Sequence, residues 1–575
     1  MTPQEFVANF STLTDAPGGI KKLRELVLEL AVSGRLGTTE PHDETADAVL
    51  AEVGRRIGRQ VGNGVEPPAD TPASWKWVRL QDLVVFGPKN GYSPKPVEYE
   101  TGVKALTLTA TTSGRFDGAR YKYIDEEIPR DSHLWLNPGD ILVQRGNTID
   151  YVGTAAVFDG PPDKYIYPDL MMKIRVAAPL DTRYIHLAMG ASSAREFLRA
   201  RATGTSGSMP KISQSVLVSL PLPIPPAAEQ KRIVAKVDQL MALLDDLEAK
   251  QTKRQHTVTR ATTACLDALT TADSPEEVAA AWKRVAGNWR VLFDRPEAVG
   301  ELRGVVRDLG CNGNLTNPKR FDITGTGQEL LSDLLRRRRL TRARLMGQKA
   351  GGRQLPAEAR IDPSGFAATL HVPNSWDVCG LDDLAACKPN ALKAGPFGSA
   401  LTKQMYVAKG YKVYGQEQVI SGDHTVGHYY ISPDKFESLK SCAIAPGDIL
   451  ISLMGTIGRV LILPDDCSPG IINPRLLKLS LDPGLFAPFV KLYLESPRAR
   501  RIMGELAHGI AMDNLNLGTL RVVPFPLPPL EEQRSIVAKV DQLMAACDAL
   551  ESALRRRDDR AGRLVAAVVG EVTAG

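Results

Sequence analysis

The chain has 575 residues, 43% hydrophobic and 24% charged, an ordinary globular balance with room for about three to four domains of roughly 100–200 residues each. No run of about 18 apolar residues occurs and Met1–Phe10 carries no basic-then-apolar leader, so a soluble, cytoplasmic chain with no membrane partner is expected. Seven cysteines, none in a CxxC pair, argue against a disulfide framework or a zinc ribbon, and a net charge of +5 says little until its distribution is known.

The first segment, residues 1–73, reads as helical. Its stretch NFSTLTDAPGGIKKLRELVLELAVSGRL (Asn9–Leu36) returns as NWRVLFDRPEAVGELRGVVRDLGCNGNL (Asn288–Leu315). Leu23, Arg24, Val27, Leu30, Gly34 and Leu36 recur as Leu302, Arg303, Val306, Leu309, Gly313 and Leu315. AVLAEVGRRIGRQ from Ala48 is echoed faintly by ELLSDLLRRRRLTR from Glu329, and SWKWVRLQDL (Ser74–Leu83) by SWDVCGLDDL (Ser375–Leu384). Such distances are too long for a solenoid period and imply two copies of a domain-sized unit.

Two globular domains follow the landmarks, at residues 74–226 and 366–529. Both read as mixed α/β with a strong strand component, from apolar runs bounded by Gly, Pro or Asp. NPGDILV (Asn137–Val143) and APGDILI (Ala445–Ile451) are turns leading into strands. SSAREFLRARATG and PFVKLYLESPRARRIMGELAHG carry helical spacing with glycine stops. Elsewhere the two domains resemble each other only faintly.

Each domain has a glycine-rich loop near its start. FGPKNGYSPKP (Phe86–Pro96) offers Lys89, Asn90, Tyr92 and Lys95; KAGPFGSALTK (Lys393–Lys403) offers Lys393, Ser399 and Lys403. Lysines, hydroxyls and free backbone N–H groups suit phosphate, but the residue order is not that of a nucleotide P-loop, which points to a nucleic-acid backbone rather than ATP. Other loops supply Arg115, Arg120, Lys122, Arg145, Asn147 and Lys211 in the first domain, and Gln416, Gln418, Arg475, Asn514 and Asn516 in the second. Arg, Asn and Gln are the side chains that read base edges, although each taken singly is more often a solvated loop residue.

Two long helices are expected at residues 227–270 and 530–575, the first about 40 residues or roughly 60 Å long. PLPIPPAAEQKRIVAKVDQLMALLDDLE (Pro221–Glu248) and PFPLPPLEEQRSIVAKVDQLMAACDALE (Pro524–Glu551) share the ten residues IVAKVDQLMA unchanged. Apolar positions fall at Ile233, Val237, Leu240, Leu244 and Leu247, and at Ile536, Val540, Leu543, Cys547 and Leu550. This 4-3-4-3 rhythm is a coiled-coil seam that needs a partner helix. The simplest partner is the other copy, giving an antiparallel spacer with a pseudo-twofold internal repeat; an external subunit is the rival. The glutamates after the prolines suit the helix dipole. Between the long helices, residues 271–365 form a helical connector. Within it Gly327–Arg360 holds nine basic and three acidic residues, centred on RRRRLTRAR (Arg336–Arg344). That cluster is either a solvated helix face or a footprint for phosphate.

No GxSxG, HExxH or Gly-Lys-Ser/Thr motif is present, and GPPD at Gly160 is far from an amino-methyltransferase tetrapeptide. His424 and His428 in HTVGH lack a zincin glutamate. No catalytic or metal site is expected.

The proline–glutamine–helix blocks LPIPPAAEQKRIVAKVDQLM and FPLPPLEEQRSIVAKVDQLM, with LRELVLELAVSGRL upstream, resemble the specificity subunits of type I restriction-modification systems. GPFGSALTK, PGDILISLMGTIGRV and INPRLLKL are similar to the target-recognition domains of that family, and YPDLMMKIRV and SGSMPKIS match them less cleanly. The resemblance implies two tandem α/β target-recognition domains on an antiparallel helical spacer, reading two unlike half-sites of double-stranded DNA about one helical turn, roughly 34–36 Å, apart. It implies two methyltransferase subunits, carrying S-adenosylmethionine, and restriction/motor subunits that use ATP and Mg as partners. This chain itself would then bind no cofactor. The competing reading is a coiled-coil adaptor whose variable domains hold proteins.

Overall fold

The computed structural model describes residues 13–36, 38–40, 43–61, 65–66, 71–204, 209–272, 274–315, 325–347, 370, 372–454, 457–508 and 517–574. The chain divides into two units: residues 1–254 with 557–575, and residues 255–556. Each long helix, Ala227–Thr270 and Leu530–Ala574, thus begins in one unit and ends in the other. Among the described residues no helix is long and apolar enough to cross a membrane.

The main four-stranded sheet has the same topology in the two units. In the first, Val84–Asn90, Met171–Val176, Ile141–Gln144 and Ala155–Val157 lie side by side in that order, all antiparallel. In the second, Leu392–Ala394, Leu476–Leu479, Ile449–Ser452 and Val460–Ile462 repeat the order and the sense. Ile141–Gln144, Ile449–Ser452 and Leu476–Leu479 are buried at every residue, including the polar Gln144, Ser452 and Lys478, so both faces of these strands are covered. A second sheet in each unit contains one parallel pair, Val103–Leu106 with Tyr165–Ile166 and Tyr411–Tyr414 with Gly470–Ile472. The proline-rich strands Pro221–Ile224 and Pro524–Leu527 pair only with Lys76–Arg79 and Asp377–Gly380. Proline donates no ladder hydrogen bond, and a two-stranded ribbon has the free edge that it requires.

The aspartate of each Pro-Gly-Asp turn is buried. Asp140 accepts from the Asn137 backbone N–H at 2.9 Å and from Arg175 Nε at 2.8 Å, and faces the buried Lys173 at 3.5 Å. Asp448 accepts from the Ala445 N–H at 2.8 Å and from Ser480 Oγ at 2.5 Å. Lys173 and Lys478 donate to the carbonyls of Trp135 and Ala443 at 2.7 and 2.5 Å. Burial pushes both ammonium groups below the usual lysine value, and the neighbouring aspartate pulls each partly back.

The helical seams are covered largely by shorter helices and core residues of their own units, and the other long helix supplies part of the cover at Cys547. Ile233 and Val237 are buried with Ala31, Val32, Trp75 and Val78 in the first unit's core. Further along, Leu244 packs with Ile20, Leu23 and Leu26 of the helix Gly19–Val32, with Leu247 partly buried beside them. In the second unit Ile536 and Val540 join a core containing Val306, Leu331 and Trp376, and Leu543 packs on its margin. Cys547 lies with Val299, Leu302 and Leu309 of the helix Pro296–Cys311, and Leu550 packs against that group. Leu240 is only half-buried. Each seam is also fixed by the same fork: Arg24 Nη2 meets Asp245 at 2.6 Å and Glu248 at 2.8 Å, while Arg303 meets Asp548 and Glu551 at 2.6 Å each. The tail of each long helix contributes as well. Val565 and Val568 pack on Leu13 and Ala16 in the first unit, and Leu266 and Leu269 sit with Cys547 and Leu554 in the second.

The duplicated Gly34 and Gly313 end the short helices in the left-handed conformation, at φ +75° and +80°. The N–H two residues beyond the cap reaches back in each case, Arg35 to the Leu30 carbonyl and Asn314 to Leu309, which is a Schellman closure.

The tryptophans of the repeated Ser-Trp pairs and the repeated Glu-Gln pairs lock together. Trp75 Nε1 donates to Glu229 at 2.9 Å, and Trp376 Nε1 to Glu532 at 2.9 Å. Gln230 and Gln533 donate to the carbonyls of Pro225 and Pro528 at 3.0 and 2.9 Å. All four Glu and Gln side chains are fully buried. They are therefore acceptors and braces inside the core, a role beyond the dipole argument.

The basic helix Gly327–Gly347 is partly absorbed by its own unit. Arg338 is buried and donates to the carbonyls of Asp382, Asp383 and Ala385 at 2.8, 2.8 and 3.2 Å. Arg336 pairs with Asp333 at 2.6 Å and Arg337 with Asp482 at 3.3 Å. Arg339 and Arg344 stay exposed, so less of the cluster faces solvent than its composition suggests.

Candidate nucleic-acid interface

In the first unit, backbone hydrogen bonds bring separate loops to one end of the four-stranded sheet. Tyr92 N–H donates to the Tyr167 carbonyl, Arg145 N–H to Leu170, and Asn147 N–H to Pro210, at 2.9, 2.8 and 3.3 Å. Gly146 bridges to Lys211. Lys89, Asn90, Tyr92, Arg145, Asn147 and Lys211 are thereby gathered from four stretches of chain. Asn147 is oriented by donating Nδ2 to the buried Gln144 at 2.6 Å, and Tyr92 donates its hydroxyl to Glu126 at 3.0 Å. Gln214, which the sequence did not single out, donates to Asn90 Oδ1 at 3.2 Å. Lys95 is exposed on the same glycine-rich loop. Arg115, Arg120 and Lys122 belong to the second sheet and the loop before it. Arg115 reaches Asp245 at 3.4 Å and Arg120 meets Asp117 at 3.2 Å; Lys122 is exposed.

The second unit assembles the equivalent place from other residues. Gly395 N–H donates to the Leu476 carbonyl at 3.0 Å and Leu453 N–H to Arg475, also at 3.0 Å. Arg475 Nη1 donates to Gln416 Oε1 at 3.2 Å, while Gln416 Nε2 donates to Ser452 Oγ at 3.1 Å and to the Met454 carbonyl. Lys393 opposes the buried Lys478 across the strands, as Lys89 opposes Lys173. Ser399 and Lys403 are exposed on the loop beyond. Gln418 is not available: it is fully buried, accepting from Gly415 N–H at 2.7 Å and donating to the Val426 carbonyl at 2.8 Å. It braces the helix start and leaves the set of base readers. Asn514 and Asn516 lie outside the described residues.

Sequence reading also passed over Phe397, which is 70% exposed between Lys393 and Lys403. Its signal was an aromatic residue set among glycine and proline in a loop, where packing offers it no cover.

Gly91 and Gly395 set the position of these loops. A Cβ on either would sit 2.0 Å from the Tyr167 carbonyl oxygen or 1.9 Å from that of Asn473, both rigid backbone atoms. Gly395→Ala is therefore expected to move the Lys393–Lys403 loop and to cost about 1–2 kcal/mol of stability. Amide exchange confined to that loop and the Asn473 turn would report the shift; an unchanged exchange pattern would show that the contact is not tight.

A family model for the type I restriction modification DNA specificity domain matches the chain twice, over residues 72–255 and 376–557. The type I restriction enzyme EcoEI specificity subunit of Escherichia coli is 24% identical over 565 residues, covering 93% of this chain and 91% of that protein. The EcoAI specificity subunit of Escherichia coli is 24% identical over 558 residues, covering 93% and 90%. A solved chain from the complex assembly and conformational transition of the type I R-M system is 19% identical, covering 88% of this chain and 99% of that one, with a TM-score of 0.46.

Proposed function

The chain belongs to the type I restriction-modification DNA specificity family, and from that premise we propose that it reads an asymmetric, bipartite site in double-stranded DNA, one half-site per unit. It is a specificity subunit and not a catalytic one; methylation and cleavage belong to other subunits of such systems. One observation carries the division of labour. The same sheet order presents Lys89, Asn90, Arg145 and Asn147 in one unit and Lys393, Gln416 and Arg475 at the equivalent place in the other. One frame with two side-chain sets suits two unlike half-sites, because base edges are distinguished by the donors and acceptors that meet them. The long helices act as an antiparallel spacer with pseudo-twofold symmetry, and their duplicated frames offer equivalent docking faces to two methyltransferase chains. The restriction/motor chains join that complex. The matching forks of Arg24 and Arg303 support two equivalent frames.

Exchange of residues 366–529 for the corresponding part of another specificity subunit tests the division. Mapping methylated adenines in cells that carry the methyltransferase partner should show one half of the target changed and the other retained. Simultaneous change of both halves would defeat the one-unit-one-half-site reading, and binding to duplex DNA that ignores salt would favour a protein adaptor.

A further inference from the structure

Two arginines outside the loops described above converge on one neutral oxygen. Arg195 and Arg199 stand one turn apart on the helix Ser192–Ala200. Each donates Nη2 to the carbonyl of Asp150, at 3.0 and 2.9 Å. Asp150 lies in the same hairpin loop as Asn147. Among the described residues Arg195 Nη1 and Arg199 Nε are buried without an acceptor. Two cations share one carbonyl, an arrangement that like-charge repulsion opposes. Burial first, and Arg199 second, hold the Arg195 guanidinium down to about 10.

The second unit repeats the placement with different surroundings. Arg500 on the helix Pro497–His508 lies against Gly458, its Cγ 3.3 Å from where a Cβ would be; Arg195 Nη1 lies 3.0 Å from the same point at Gly153. Both glycines have φ +77°. Arg500 Nε is also buried without an acceptor.

We propose that Arg195 with Arg199, and Arg500 in the other unit, are sequence-independent clamps for the DNA phosphodiester backbone. This inference rests on the DNA-reading function and refines it. A base-reading residue should differ between units that read different half-sites, whereas phosphate is the same in both. A cation kept at one place in two otherwise unlike domains therefore fits the phosphate. Planar guanidinium forks match phosphate oxygens, and the Asp150 carbonyl holds the place of one such oxygen until DNA docks.

The test uses the full chain with its methyltransferase partner and a random-sequence duplex of about 40 base pairs, titrated at several salt concentrations. Wild type should show a steep linear fall of log K with log salt, with a slope near 0.9 per neutralised phosphate. R195Q/R199Q should make that slope shallower by about one to two, and R500Q by about one. R195K/R199K, which keeps the charge, should restore most of it. Should either glutamine variant misfold, the lysine variant and the other unit's variant still report. Slopes parallel to wild type, with only the affinity or the folding changed, would mean that these arginines merely pin the hairpin. A flat wild-type response would remove the DNA-reading function itself and the clamps with it.

Discussion

Asp448→Ala is expected to lower the unfolding free energy of the second unit by about 2–3 kcal/mol, the cost of leaving buried donors without their acceptor. Lys478 is 6% exposed and donates to the Ala443 carbonyl, and Asp448 favours its charged form through space, so truncation leaves the ammonium group in a site that already disfavours it. It also orphans the Ala445 N–H and the Ser480 hydroxyl. The pH dependence has a definite sign. The folded lysine titrates below its ordinary 10.5, so between those two values the unfolded chain binds more protons and stability rises with pH. Without the aspartate to pull the lysine back up, that window extends to lower pH, and the deficit against wild type narrows as pH rises toward 10.5. Urea unfolding followed by circular dichroism at a series of pH values checks both effects. A loss under about 1 kcal/mol that is flat with pH would show that the aspartate serves only as a turn former.

Glu532→Ala should cost about 2–3 kcal/mol, because the Trp376 indole N–H then lies buried with no acceptor. Glu229→Ala should do the same through Trp75 in the first unit. The two sites belong to different units, which makes each an internal control for the other. A double-mutant cycle with Trp376→Phe separates the hydrogen bond from simple loss of packing. If the bond matters, removing both partners costs less than the sum of the single changes by about 1–2 kcal/mol. Strict additivity would assign the cost to the cavity left by each side chain. Urea unfolding followed by far-ultraviolet circular dichroism reads all four members of the cycle, including those that lack the Trp376 indole.

Much of the fold was legible because it rests on local rules. The 279- and 303-residue offsets alone locate both repeats. Helix spans followed from apolar periodicity, and the ends at Gly34 and Gly313 from the one residue type that accepts a left-handed cap cheaply. The Pro-Gly-Asp turns led into the expected strands at Ile141 and Ile449.

Periodicity and turn chemistry act over a few residues, and they fix the duplication, the long helices with their apolar seams and the mixed α/β domain ahead of each. What those features touch depends on packing across the chain. A seam states that it needs cover without stating whose; Gly19–Val32 and Pro296–Cys311 supply cover because the chain returns them to the helices whose Asp and Glu meet Arg24 and Arg303. Polarity likewise carries no record of burial. Gln418 and Glu532 read like any surface residue, yet are enclosed by donors and acceptors distant in the chain, and Arg338 in a basic run is spent on three buried carbonyls. Burial and pairing are set by long-range packing, which no local pattern encodes.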